Sequence, residues 1–240
     1  MNEKKLDPVS VIVNVYNEAE TIEDEIRTIY ETIVSRIPGS EFIVAEECSI
    51  DGTGEIVIRL KNELGLIHST GTVRKGYMRA LRDAFMLAKC PFIFFSDTGN
   101  KHDQSEFWEL YKYRHDYGLV VGVKTGRSDQ LYRRFLTFSY NKILSWYFNV
   151  DLHDADSGFR LYQKKVVDTV FNEPWVNKEL ISSEIMLRVV AHGFPVKEVP
   201  VSYRQRKGHS RGLPLKKIPK VILHVLKNMP RLKRELFPKR

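Results

Sequence analysis

The stretch Pro91–Asp103, PFIFFSDTGNKHD, decides how the chain is read. Four large apolar residues, Phe92 to Phe95, run straight into a polar turn holding Ser96, Asp97, Thr98, Gly99 and Asn100. A short apolar run that stops at a turn is the pattern of a buried strand in a parallel sheet. Open α/β sheets bind ligands outside the carboxyl ends of their strands, where this turn would sit. Asp97 then lies at the rim of the core, facing a crevice. It can hold a hard cation such as Mg2+ or Mn2+, or bond a sugar hydroxyl. The alternative is an aspartate that caps a helix beginning near Ser105, or that forms the turn itself.

The flanking sequence supports the crevice reading. Val9–Tyr16 is β-branched and bounded by Pro8 and Asn17, which predicts a strand. In Glu18–Arg36 acids crowd the start, and Ile22, Ile26, Ile29, Ile33 and Ile37 recur at helical spacing. Pro38-Gly39 ends that helix, and Glu41–Ala45 reads as a second strand. Asp51-Gly52-Thr53 opens a helix to about Leu64, Leu66–Ser69 a short strand, and Gly76–Leu87 a third helix. Strand and helix alternate without a hairpin signal, so the fold class is α/β, a Rossmann-like and mostly parallel sheet flanked by helices. Beyond it, Leu119–Val123 predicts a strand, Asp129–Phe148 a long helix and Asp151–Tyr162 a loop. Ile181–His192 then predicts a helix, and Pro195–Val201 a strand.

Composition narrows the class. With 240 residues, 42% of them hydrophobic, the chain can bury a full core as one domain. Cys48 and Cys90 give neither a disulfide framework nor a zinc spacing, and the first residues carry no apolar leader, so a cytoplasmic protein is expected. The net charge of +8 is uneven: from Arg204 onward there are thirteen Lys or Arg and one acid, Glu235. The body is therefore net acidic, which argues against a nucleic-acid binder.

The predicted strand ends gather polar groups toward one edge. Asn14, Tyr16, Asn17 and Glu18 follow the first strand; Glu46, Glu47 and Ser49 the second; Ser96 and Asp97 the fourth, with Arg74-Lys75-Gly76 between them. Carboxylates for a base or ribose, a lysine and a metal-capable aspartate suit a nucleoside diphosphate. Neither G-x-G-x-x-G nor G-x-x-x-x-G-K-[ST] is present, so no dinucleotide fingerprint or P-loop accounts for this edge.

In these motifs the chain resembles the family-2 glycosyltransferases, in particular the branch that includes dolichol-phosphate mannose synthase. The family's opening P-x-YNE is matched by Asn14 to Glu18, its DDGS-x-DGT by Glu46 to Thr53, and its GkG-x-Al by Arg74-Lys75-Gly76 with Ala80-Leu81. Its metal turn, D-x-D-x-QH-x-P, is matched by Asp97 to Asp103. Further motifs fall at Gly126 to Asp129, Arg133, Arg134, Ser139 and Asn141, at Asp154 to Tyr162, and from Glu184 through Glu198–Val201 to Arg206, Gly208 and Ser210. The resemblance implies a GT-A fold over residues 1–211, a nucleotide-sugar donor, a divalent metal (Mg2+ or Mn2+) on Asp97, and transfer with inversion. It implies donor contacts from Asn14, Tyr16, Glu18, Glu46, Glu47, Lys75, Gly76 and Ser96.

Three departures stand out: Glu46-Glu47 for paired aspartates, Asn14 for proline, and Gly99 for the second metal-turn aspartate. A lipid-phosphate acceptor is already ionised and needs a second anion site, for which Arg127, Arg133, Arg134 and Arg206 are candidates. A hydroxyl acceptor would instead need a base, from Asp154, Asp156 or Glu184.

In the tail, residues 212–240, Ile218, Val221, Ile222, Val225, Leu226 and Met229 form an apolar stripe among lysines and arginines. Such a helix either lies on an anionic membrane surface or docks on the protein's own core. The expected function is a hexosyltransferase to a polyprenyl or dolichyl phosphate, peripheral at the cytoplasmic membrane face. The rivals are a transferase to a glycan hydroxyl and a non-catalytic nucleotide-sugar-binding protein.

Overall fold

The computed structural model describes residues 6–71, 73–74, 76–99, 101–125, 131–174, 181–204 and 218–238. Lys75, Asn100, Arg127 and Arg206 lie outside them. The backbone of Arg133 and Arg134 is helical, but their side chains are not among those described.

The strands are β1 (Val9–Val15), β2 (Glu41–Glu46), β3 (Ile67–Ser69), β4 (Phe92–Asp97), β5 (Leu119–Thr125), β6 (Phe159–Gln163) and β7 (Val196–Ser202). The helices are α1 (Ile22–Thr32), α2 (Thr53–Leu64), α3 (Tyr77–Leu87), α4 (Phe107–Tyr111), α5 (Leu131–Phe148), α6 (Lys164–Val170), α7 (Ile181–Ala191) and α8 (Ile218–Leu236). The strands form one sheet in the order β3-β2-β1-β4-β6-β5-β7. β1 and β4 are buried along nearly their whole length because apolar layers cover both faces of the sheet. On one side α1 packs Ile22, Ile26 and Ile29 against Val11, Val13 and Phe94; on the other α3 packs Leu81, Ala84 and Phe85 against Ile12, Ile93 and Phe95.

One element corrects the sequence reading. The stretch expected to be a loop up to Tyr162 contains β6, which runs antiparallel to both β4 and β5. Its sequence FRLYQ conceals it, since Arg160 is only 2% exposed although charged. Three acceptors or partners make that burial tolerable: the Arg160 guanidinium donates to the carbonyls of Ala155 (2.9 Å) and Ser182 (3.0 Å) and to the Tyr162 hydroxyl (3.4 Å). The antiparallel direction brings the start of β6, not its end, to the carboxyl edge of β4. Ser96 pairs with Phe159, so the 154–158 loop lies beside Asp97.

Helix α8 docks on the body through Val225, Met229 and Leu232, all buried in the core beside α5 and α7. Each such side chain contributes about 1.5–3 kcal/mol of burial. Arg188 of α7 closes the contact: it bonds Glu184 (2.9 Å), Glu173 (2.6 Å) and Glu235 of α8 (2.7 Å). The single acid of the tail thus adds an ion pair to that apolar contact. The stripe is wider than its docking contact, however. Ile222, Leu223 and Leu226 face outward, as do Phe135, Phe138, Ile143 and Trp146 of α5.

Candidate active site

The carboxyl ends of β1, β2, β4 and β5 and the start of β6 converge. Asn14 sits in register with Asp97, and the next residue, Val15, with Glu46, so the polar ends of β1, β2 and β4 fall together. Two loops then cross-brace. The N–H of Asn17, which has a left-handed φ of 50°, donates to Ser49 Oγ (2.8 Å), and Asn17 Oδ1 accepts from Ile50 (2.9 Å). The N–H of Glu18 donates to Thr53 Oγ1 (2.8 Å), and that of Ala19 to Asp51 (3.2 Å). Much of what the motifs contribute is this brace between the two loops.

The glutamate pair divides its labour. Glu46 accepts from the N–H groups of Cys48 (3.1 Å) and Ser49 (2.5 Å) and from the Thr70 hydroxyl (3.3 Å), so it builds the turn after β2. Glu47 faces Arg74 at 3.8 Å, whose guanidinium lies 3.9 Å above the Tyr16 ring. Glu47, Arg74 and Tyr16 make a wall with a carboxylate, a planar cation and an aromatic face. Gly76, at φ 84°, starts α3 beside them. Ser96 is fully buried and accepts from Gln104 Nε2 (3.2 Å), which turns it inward from the crevice. Asn14 is 9% exposed, and neither its amide nitrogen nor its oxygen has a hydrogen-bond partner among the described residues. Nor do the ring nitrogens of His102, which stacks on Phe159 at 4.8 Å. Water or a polar ligand is the ordinary partner of buried polar atoms left this way. Burial lowers the His102 imidazole to a pKa of about 4, so it is neutral near pH 7.

Asp97 is not the cap expected as its alternative role: Asp103 caps the following turn, accepting from the Ser105 N–H (3.0 Å). The Asp97 N–H donates to the Gly158 carbonyl (2.7 Å), and its carboxylate accepts from Lys101 Nζ (3.3 Å). Dehydration opposes the charge of Asp97, but Lys101 and then Lys124 outweigh it and hold its carboxyl below the usual range. Lys124, at the end of β5, also lies 3.9 Å from Asp154, which is 3% exposed. Asp156 opens to solvent from a crowded cleft; dehydration, against the pull of Lys124 and Arg160, raises its pKa. Glu184 lies away from this chemistry, fully buried on Arg188.

The sequence reading missed Lys101 and Lys124 as site residues. The signal was there: Lys124 follows the apolar run Leu119–Val123, and Lys101 lies in the same polar turn as Asp97. The divalent metal fits this donor set poorly. Among the described residues no three His, Cys, Asp or Glu side chains group as metal ligands. Gly99 holds a φ of 96°, a backbone that an aspartate adopts only with strain, and its N–H is tied to Glu25 (2.9 Å).

The mostly parallel sheet with a polar crevice at these strand ends has the GT-A fold. The chain belongs to glycosyl transferase family 2, which it matches over residues 10–171. It is 30% identical over 207 residues to the glycosyltransferase AglD of Haloferax volcanii, covering 82% of this chain but 33% of that protein, so it spans about a third of that relative's length. It is 20% identical to a dolichyl-phosphate hexose transferase of the same organism, covering 88% and 89% of the two chains. Among solved structures, glucosyl-3-phosphoglycerate synthase of Mycobacterium tuberculosis with Mn2+ and UDP superposes with a TM-score of 0.70 at 16% identity, over 94% of this chain and 80% of that one. The mannosyltransferase PcManGT of Pyrobaculum calidifontis, with GDP-Man and Mn2+, gives 0.67 at 20% identity, over 98% and 70%.

Proposed function

We propose that the protein transfers a hexosyl group from a nucleotide sugar to a polyprenyl phosphate, with inversion, while bound peripherally at the cytoplasmic face of a membrane. The donor reading rests on the wall of Tyr16, Arg74 and Glu47 beside the unpartnered Asn14 amide, and on solved relatives that hold UDP or GDP-Man. In the reaction an ionised acceptor oxygen forms a bond to the anomeric carbon. The bond from that carbon to the diphosphate breaks, and its electron pair leaves with the nucleoside diphosphate. No proton has to move if the acceptor is already a phosphate. Cationic side chains stabilise the departing charge. Glu47→Ala should weaken binding of the donor nucleotide by roughly ten- to a hundredfold, the equivalent of ~1.5–3 kcal/mol for a charged hydrogen-bond partner. Calorimetric affinity within twofold of wild type would put the base or ribose elsewhere.

The observation that carries the lipid acceptor is the outward apolar face. Phe135, Phe138 and Trp146 lie along one side of α5, and Ile222, Leu223 and Leu226 on α8 among the exposed Lys220, Lys227 and Arg231. Phe148 of α5 meets Phe237, just past α8, with ring centres 5.9 Å apart, so the C-terminal ends of the two helices touch. No described helix is long and apolar enough to span a membrane. Each basic residue near an anionic leaflet adds about 1 kcal/mol, and the apolar side chains add burial. Cutting α8 away would open the core at Val225 and Met229, so surface substitutions are the cleaner test. Trp146→Glu combined with Leu223→Glu should release the protein from phosphatidylserine vesicles and sharply reduce transfer to a polyprenyl phosphate. Unchanged vesicle binding would remove the argument for a lipid acceptor. Transfer to a glycan hydroxyl is the second reading, favoured by the raised pKa of Asp156 as a proton-taking group. It requires activity that climbs with pH through that raised value and falls in Asp156→Asn.

A further inference from the structure

We propose that this transferase carries its own cation: the Lys101 ammonium, seated on Asp97 with Lys124 behind it, neutralises the donor diphosphate in place of a divalent metal. The inference rests on the nucleotide-sugar reading above.

Three independent observations lead to it. The turn after β4 offers a single crevice carboxylate, Asp97, and Lys101 Nζ already lies 3.3 Å from its Oδ2. A metal ion on that oxygen would have to displace the ammonium or sit against it, and like charges at such range repel strongly. Second, the backbone at position 99 disfavours the missing carboxylate, because Gly99 has φ 96°, which strains any other side chain, and its N–H is fixed to buried Glu25. Third, Lys101 is placed by the fold and not left to roam. Its carbonyl accepts from the Arg204 N–H (2.8 Å), and the Arg204 side chain pairs with Asp103 (2.8 Å), so the segment is bound to the chain just past β7.

Charge supports the exchange. Against the metal-turn pattern D-x-D-x-QH, this turn has lost one carboxylate at Gly99 and gained one ammonium at Lys101. The turn is therefore two units more positive, which is the charge of one divalent ion. Lys124, 3.9 Å from Asp154, adds a second ammonium whose field also reaches Asp97. An ammonium is a compact point charge with three donors and binds phosphate oxygens well. In the transfer it meets the electron pair that leaves on the diphosphate, and it neither gains nor loses a proton.

The test uses the full chain and two probes, UDP and GDP, titrated calorimetrically in EDTA and again with Mn2+. The inference expects at least one of them to bind with an affinity that differs less than threefold between the two conditions. It also expects Mn2+ alone, followed by electron paramagnetic resonance, to show no protein-bound signal at submillimolar concentration. Lys101→Gln should lose at least tenfold in affinity in EDTA, whereas Lys101→Arg, which keeps the charge, should lose less. Binding that appears only with Mn2+, or a tight Mn2+ signal from the protein alone, overturns the inference and leaves the donor reading standing. Absence of nucleotide binding under both conditions overturns the donor reading and this inference with it.

Discussion

Gly158→Ala should cut turnover at least a hundredfold while the sheet stays folded. A methyl group at Gly158 would lie 2.2 Å from both Cγ and Oδ2 of Asp97, far inside contact distance. Neither partner can step aside easily, because the Asp97 N–H is held by the Gly158 carbonyl at 2.7 Å and Ser96 pairs with Phe159 across the ladder. The side chain of Asp97 must swing away, taking the position of Lys101 with it. Displacing a reacting constellation by about 1 Å is enough to cost ~100-fold in rate. Gly54→Ala is the control, since its added methyl would meet only Glu46 at an ordinary 3.9 Å. Steady-state rates with the accepted sugar donor, alongside circular dichroism, decide the matter. Turnover within tenfold of wild type would mean that Asp97 is not part of the reacting arrangement.

The largest effect on stability is expected from Arg188→Met. Arg188 is 1% exposed and bonds three carboxylates from three segments: Glu173 after α6, Glu184 within α7 and Glu235 on α8. Removing the guanidinium takes the 2.9 Å ion pair from Glu184, which is fully buried. Breaking a buried pair from one side costs about 3–5 kcal/mol. For a chain of this size that corresponds to a fall in Tm of roughly 10 °C. Limited proteolysis should cut first within α8, whose basic residues then detach from the body. Glu235→Gln should cost much less, since Glu235 is partly solvated and the other two carboxylates still balance the charge. A melting temperature unchanged in Arg188→Met would refute the view that this cluster holds the tail.

The first half of the sheet was legible because its strands are uniform apolar runs closed by turn residues: Val9–Val15 and Phe92–Phe95 are buried on both faces and look it. The isoleucine spacing of α1 likewise matched its buried face. β6 was not legible, because a buried arginine breaks the apolar run, and its burial is settled by acceptors outside the strand, one of them the distant Ser182 carbonyl. The strand-end edge was readable as a set of residues, but not as an arrangement. Glu46 and Glu47 are adjacent and chemically identical, and only the donors at Cys48, Ser49 and Thr70 separate their roles. The two readings of the tail turned on docking, and α8 does dock, with apolar side chains left over on its outer side.

The place of β6 between β4 and β5 sets a timetable for synthesis. The strands β1 to β4 leave the ribosome first and can pair among themselves, yet β4 then ends in an open edge of phenylalanines whose partner has not been made. That partner follows about 60 residues later, several seconds at ordinary elongation rates. β5 emerges earlier but cannot join, since its neighbours in the sheet are β6 and β7 and not β4. Through that interval the nascent chain presents a bare apolar edge strand, the kind of surface on which chains aggregate or chaperones settle. Slower translation between codons 97 and 159 should therefore lower the soluble yield, whereas slowing after β6 should not.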